Sequence, residues 1–243
     1  MTKTKHDHYA LVTGAADRIG KSIALHLAKM GYHIVLHYRK SRQAAELLQG
    51  VIEAMGRKAS LLQFDFLAHN DYDQILADMK AKGMTLEILV NSASEYIPSG
   101  IQDKGATLFN REIKSNFEGA YLLTKSFARI FGSGVVINLL DTKITRDQSD
   151  YLDYLLAKKL LAEFTRMAAV SLAPAIRVNG ICPGLILPPK GKNNQYLMEL
   201  AEGIPLRRVG KLEDIQKAVQ FLVESTFITG QFLFIDGGEH LAT

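Results

Sequence analysis

Cysteine is nearly missing: Cys182 is the only one in 243 residues. A lone thiol excludes an internal disulfide framework and fits a reducing cytoplasm. No apolar run reaches the roughly 18–20 residues of a membrane-spanning helix. The first eight residues are polar and lack the apolar stretch of a secretory leader. Internal repeats, low-complexity tracts and linkers are also missing, so one domain over residues 1–243 is expected. Lys and Arg number 29 against 25 Asp and Glu, but they are scattered. Without a concentrated basic face, nucleic acid is not an expected partner. His6, His8 and His69 lack metal-ligand spacing, so no metal site is expected.

What is present is a globular balance, 47% apolar and 22% charged. Short apolar runs alternate with longer amphipathic stretches. Strands are expected at Tyr9–Thr13, His33–His37, Ala59–Phe64, Ile88–Asn91, Val135–Leu140, Ile176–Ile181 and Phe232–Ile235. Helices are expected over Arg18–Met30, Gln43–Met55, Tyr72–Lys80, Thr107–Phe131, Tyr151–Leu172 and Leu212–Glu224. This alternation implies parallel βαβ crossovers and an α/β, Rossmann-type sheet with both faces covered by helices. Gly184–Pro205 reads as one long irregular stretch, taken as a lid over a substrate.

Thr13-Gly14-Ala15-Ala16-Asp17-Arg18-Ile19-Gly20 lies between the first strand and the first helix. Gly14 permits a tight turn and Gly20 close packing, and the helix N-terminus offers N–H groups to a pyrophosphate. Arg18 adds a cation beside the phosphates, within possible reach of substrate. The second strand ends in His37-Tyr38-Arg39-Lys40-Ser41, with no carboxylate to bind a ribose 2′-hydroxyl. Arg39 and Lys40 can neutralise a 2′-phosphate and Ser41 can donate to it, which favours NADPH. Asp65 is placed to accept from the adenine amino group. Asn91, Ser92 and Ala93 follow the fourth strand, where small residues let a cofactor approach the backbone.

Tyr154 and Lys158 share one helix face. A neighbouring ammonium is expected to lower the phenol's pKa and suit it to proton transfer. Tyr121 and Lys125 repeat the spacing, but without a strand-end partner such as Asp141, and read as packing and surface. Asp141 could also simply cap a turn.

In chain order, Thr13-Gly14-x-x-x-Arg18-x-Gly20, Asn91-Ser92-Ala93-Ser94, Asn116, Tyr154-x-x-x-Lys158 and Pro183-Gly184 resemble the motifs of the short-chain dehydrogenases/reductases. The resemblance runs from Tyr9 to Gly238. It implies a seven-stranded parallel sheet in the order 3-2-1-4-5-6-7. It also implies that Asn116 anchors a water linked to Lys158, and that Pro183 and Gly184 lie against the nicotinamide. Homotetramers, paired through Thr107–Phe131 and Tyr151–Leu172, are a further family expectation.

That family usually has a serine where this chain has Asp141. Asp141 is similar to the pteridine reductase branch, which includes dihydromonapterin reductases. So are Arg18, the His37–Ser41 run and Ser94-Glu95-Tyr96. By that resemblance Ser94 contacts a pterin and Tyr96 stacks on it; reducing a C=N bond there needs a proton on nitrogen, which Tyr154 is expected to supply, with Asp141 and Lys158 completing the relay. Three readings stay open: a pterin or folate reductase, a carbonyl reductase acting on a ketone such as a 3-oxoacyl thioester, and a non-catalytic NADPH-binding protein.

Overall fold

A computed structural model describes residues 8–68, 70–147, 149–189 and 191–242. His6 and His69 lie outside the described residues. The chain opens with strand β1 (His8–Val12), helix α1 (Arg18–Lys29), β2 (His33–Tyr38), α2 (Arg42–Ala54), β3 (Ala59–Gln63), α3 (Tyr72–Ala81) and β4 (Thr85–Asn91). Then come α4 (Thr107–Ile113), a π-helical turn (Lys114–Glu118), α5 (Gly119–Phe131) and β5 (Gly134–Leu139). A 3-10 turn (Thr142–Thr145) precedes α6 (Leu152–Leu172), β6 (Ile176–Pro183), α7 (Asn194–Ala201), α8 (Leu212–Glu224) and β7 (Phe232–Ile235).

All strands pair in parallel in one sheet, ordered β3-β2-β1-β4-β5-β6-β7. The order expected by resemblance is the order found. Parallel strands bury both faces, which is why β2 is buried at every residue. Ile23, Leu27, Leu48, Ile52, Ile215 and Val219 close one face from α1, α2 and α8. Leu76, Leu123, Phe127, Ala168 and Ala169 close the other from α3, α5 and α6.

Three departures from the sequence expectation bear on the site. The Thr107–Phe131 stretch is interrupted by the π turn, which holds Asn116. Such turns re-aim side chains and are frequent at functional sites. The Gly184–Pro205 stretch is not wholly irregular, because α7 lies within it. Asn193 caps α7 by accepting from the Tyr196 N–H at 3.2 Å, and Leu197 and Ala201, four apart, are buried. Tyr151 is the residue before α6, at φ 58°, not its first turn.

Polar residues inside the core tie the sheet's central strands to the helices. Asn91 and Asn138 are opposed in register on β4 and β5. Asn91 Nδ2 donates to Asn138 Oδ1 at 2.8 Å and to Thr124 Oγ1 at 3.2 Å. Asn138 Nδ2 donates to Thr165 Oγ1 on α6 at 2.8 Å. The network fixes the end of β4, and hence the loop it feeds, against α5 and α6. Replacing Asn138 with Ala should lower stability by about 1–3 kcal/mol, the cost of leaving its buried partners unpaired. Urea unfolding checks this; an unchanged midpoint would mean the network is dispensable.

Candidate active site

In an open parallel sheet the loops at the strands' carboxyl ends form a crevice. Here the expected site residues come from the loops after β1 to β6, from the start of α1, from the π turn and from α6. Gly14 adopts φ +64°, and a Cβ there would lie 2.9 Å from Ala93 Cα. At Gly20 a Cβ would come within 2.2 Å of the Gly14 carbonyl oxygen. Both positions therefore require glycine. Thr13 Oγ1 accepts from the Ser92 and Ala93 N–H groups at 2.9 and 3.0 Å, hooking the β4 loop to the glycine loop. Ile19 packs against the core below. Asp17 caps α1 by accepting from Arg18 N at 2.7 Å.

His37 lies beneath this loop and is almost fully buried. Its Nδ1 accepts from the Gly14 N–H at 3.1 Å, and its Nε2 is 3.2 Å from the Phe64 carbonyl. An N–H can only donate and a carbonyl can only accept, so Nε2 carries the proton. Burial drives its pKa down to about 4, against the Phe64 hydrogen bond and the Asp65 charge. His37 is thus a neutral prop under the loop. Tyr38 is buried too, its hydroxyl donating to Gln63 Oε1 at 3.3 Å.

Arg39 reaches across the crevice to Glu95, Nη1 to Oε1 at 2.6 Å, and sits 4.0 Å from Asp65. Arg111 grips the same carboxylate with two hydrogen bonds, 2.7 and 2.8 Å. Burial alone would raise the Glu95 pKa; hydrogen bonds from Arg111 and Arg39 outweigh it and hold the group below its usual range. Lys40 is exposed, and Ser41 makes no side-chain cap on α2. Arg18 Nη2 donates to the Pro188 carbonyl at 2.8 Å, tying the glycine loop to the segment after β6. The glycine cradle, the cations after β2 and the buried Asn91 Oδ1, which lacks a partner among the described residues, fit a dinucleotide.

The chemical centre lies at the ends of β5 and β6. Tyr154 OH donates to Asp141 Oδ2 at 2.7 Å. The other carboxylate oxygen accepts from the Lys143 N–H at 2.8 Å, so Asp141 also caps the 3-10 turn. Lys158 is buried; its Nζ donates to the Leu139 carbonyl at 2.8 Å and lies 5.7 Å from the Tyr154 ring centre. Gly184 packs on Asp236, where a Cβ would come within 2.6 Å. Cys182 is buried, and burial pushes its thiol far up, leaving an inert side chain.

The acidified phenol expected from Lys158 is corrected here. Burial, followed by the charge and hydrogen bond of Asp141, raises the Tyr154 pKa well above 10.0. Lys158 itself is lowered by burial to about 8, against the pull of Asp141 and Glu112. Tyr154 is a neutral phenol that holds its proton.

Asn116 lies in the same cluster. Its Oδ1 accepts from Ser94 Oγ at 2.5 Å and from the Glu95 N–H at 3.2 Å, and its Nδ2 donates to Glu112. Tyr96 stacks on Tyr151, centres 3.9 Å apart and nearly parallel, and meets Tyr154 edge-on at 4.8 Å. Tyr151 and Glu112 are the residues that sequence reasoning missed. Glu112, Ser115, Asn116 and Gly119 form one buried stripe at helical spacing, but its polar make-up gave no inward signal in the sequence; nothing local marked Tyr151. Tyr121 and Lys125 contact each other at 3.2 Å on an exposed face, away from this centre. Among the described residues no group of three or more His, Cys, Asp or Glu could hold a metal ion.

The sequence profile of a family described as enoyl-(acyl carrier protein) reductase matches residues 14–240. The 3-oxoacyl-[acyl-carrier-protein] reductase of Synechocystis sp. is 30% identical, over 94% of this chain and 95% of that protein. Among solved structures, the FolM alternative dihydrofolate reductase 1 of Brucella canis, complexed with NADP, superposes with a TM-score of 0.91. It is 29% identical, over 99% of this chain and 97% of that one. The corresponding protein from Brucella suis, also with NADP, gives a TM-score of 0.92 at 28% identity, over 99% and 98%.

His37 provides a test of the loop's construction. Its pKa of about 4 lies below the 6.5 of a free histidine, so the unfolded chain binds the extra proton first. Stability should therefore fall as pH drops from about 6.5 towards 4. Nitrogen NMR should show His37 neutral, with the proton on Nε2, at pH 6; a charged ring there would contradict the arrangement.

Proposed function

The chain belongs to the short-chain dehydrogenase/reductase family, and on that premise we propose that it is an NADPH-dependent reductase of the C=N bond in a dihydropteridine- or dihydrofolate-type substrate. The observation that carries this reading is the hydrogen bond from Tyr154 to Asp141. Reduction of C=N needs a hydride on carbon and a proton on nitrogen. Bound NADPH supplies the hydride. Tyr154 holds the proton at its hydroxyl oxygen; burial and Asp141 raise its pKa, so it gives the proton up only to a nitrogen that hydride transfer has made strongly basic. The phenolate left behind is countered by the buried Lys158 ammonium.

Asp141 favours a nitrogen heterocycle over a ketone. A carbonyl oxygen gains from a second donor, and a carboxylate offers none. The amino and ring N–H groups of a pterin are donors that a carboxylate can accept. Tyr96 supplies a flat aromatic face beside Tyr154, suited to a planar ring. The likeness to FolM dihydrofolate reductases supports the same reading. The likeness to 3-oxoacyl-[acyl-carrier-protein] reductases supports the second one, a ketone substrate.

Gly14, Arg18, Ile19, Gly20, Asn91, Ser92 and Ala93 would hold the pyrophosphate and ribose. Arg39, Lys40 and Ser41 would hold the 2′-phosphate, Asp65 the adenine, and Lys158, Pro183 and Gly184 the nicotinamide end. His37 and Tyr38 would act from beneath, through the loops they support. Ser94, Tyr96, Asp141 and Arg18 would meet the substrate. Exposed apolar residues on α6 (Leu156, Leu160, Met167 and Val170) support pairing into a homotetramer. Leu156 and Leu160 border a cavity of about 840 Å³ that also takes in Phe109 and Phe232 but not Tyr154. Among the described residues no helix is long and apolar enough to cross a membrane, and the lone buried thiol suits the cytoplasm.

Tyr154→Phe should lower kcat on dihydropterins by about 10²–10⁴-fold, the usual worth of a positioned proton donor, and leave NADPH affinity unchanged. Near-normal turnover would reject the assignment. Asp141→Ala should cut turnover of a dihydropterin and spare any 3-oxoacyl thioester activity; the reverse pattern would favour the ketone reading. The pH profile gives a third test. Lys158 titrates at about 8, so activity should decline as pH rises past 8 and the ammonium is lost. A flat profile to pH 10 would contradict its role.

A further inference from the structure

The segment between β4 and α4 carries Tyr96 and has no regular secondary structure from Ser92 to Gly100. It is nevertheless held at fixed points, three of them leading to one pair of side chains. Ser94 Oγ and the Glu95 N–H both donate to Asn116 Oδ1. The Ile97 N–H donates to Glu112 Oε1 at 3.1 Å. Glu112 Oε2 accepts from Asn116 Nδ2, so the two side chains form a single clamp. Beyond it, Ser99 Oγ accepts from the Asp153 N–H at 2.9 Å and the Ser99 carbonyl from the Leu152 N–H at 3.2 Å. Residues 94, 95, 97 and 99 are thus pinned on both sides of Tyr96, and the last pin is the first turn of the helix that carries Tyr154.

A fully buried carboxylate in a helix is costly unless its oxygens are matched to donors. Glu112 has one donor on each oxygen. No neutral side chain of this shape does the same, because glutamine has only one acceptor atom and its amide NH₂ would oppose the second donor. The π turn brings Asn116 onto the same buried stripe as Glu112, four residues on.

We propose that Glu112 is a positioning residue for substrate: through Ile97 and Asn116 it fixes the loop that presents Tyr96 beside Tyr154. The inference rests on the reading that a flat substrate lies against Tyr96. Charges face Glu112 from each neighbouring element: Glu95 on the loop, Asp153, Tyr154 and Lys158 on α6, and Arg111 on its own helix. Burial raises the Glu112 pKa to about 7, against the Ile97 hydrogen bond. Protonation turns one oxygen into a donor facing a donor. The clamp therefore loosens as pH falls through 7.

Amide hydrogen exchange on the unaltered protein tests this without any variant. After correction for intrinsic rates, the Ile97 amide should lose protection between pH 8 and 6 while β4 amides keep theirs. Glu112→Gln should remove that pH dependence, expose Ile97 at pH 8 and weaken dihydropterin binding roughly tenfold, about one hydrogen bond's worth. NADPH affinity should stay the same. The exchanged pair, Glu112→Gln with Asn116→Asp, restores a donor to each acceptor and should recover Ile97 protection and pterin Kd. Pterin Kd is the readout because it does not depend on any relay through Asn116. Unchanged Ile97 protection in Glu112→Gln, or no recovery in the exchanged pair, overturns the proposal. If the unaltered protein binds no pterin, the substrate reading fails instead, and the exchange data still decide whether the clamp exists.

Discussion

One hydrogen bond organises the site: a buried phenol donating to a carboxylate at 2.7 Å. The phenol is buried and the carboxylate half-buried, and each satisfies the other. That contact keeps the proton on Tyr154 and points it at the end of β5. A phenolate there would face the Asp141 charge at hydrogen-bond distance in a poorly solvated site, which is why burial and Asp141 act in the same direction. The resting state is therefore a proton donor, as a reduction requires. Lys158, 5.7 Å from the ring, becomes important only once the proton has gone.

The sheet makes this contact possible by geometry. Adjacent parallel strands bring Asn91, Asp141 and Gly184 to one edge from positions far apart in sequence. Buried amides then hold that edge rigid. Asn91 and Asn138 join β4 to β5 and α6, Thr13 hooks the β4 loop to the glycine loop, and neutral His37 props the glycine loop from below. Each of these groups is buried and hydrogen-bonded, so a shift at one site forces an unpaired polar group at the next. A dinucleotide crevice and a proton donor are thus parts of one connected edge.

Much of this was legible in the residues. Near-continuous apolar runs gave away the strands because both sheet faces are covered, and Gly14 and Gly20 stand where backbone approaches backbone. The spacing of Tyr154 and Lys158 showed a shared face. It could not show the phenol's charge state, which depends on a carboxylate thirteen residues away and on burial. Helix α7 was hidden by Pro188, Pro189 and Gly191, although Asn193 followed by Leu197 and Ala201 carries a helix signal. Glu112 carried no sequence signal of its own, because its burial depends on which helix face the sheet and α6 cover. Tyr151 left no signal at all, since its stacking on Tyr96 joins two loops.

The protonation state of Tyr154 is the claim on which the chemistry stands. Carbon NMR of protein labelled at the tyrosine Cζ, with Tyr154→Phe to assign the resonance, reads it directly. The account predicts a Tyr154 signal that stays at the phenol position throughout a titration up to pH 10. A signal that moves to the phenolate position near neutral pH would contradict it.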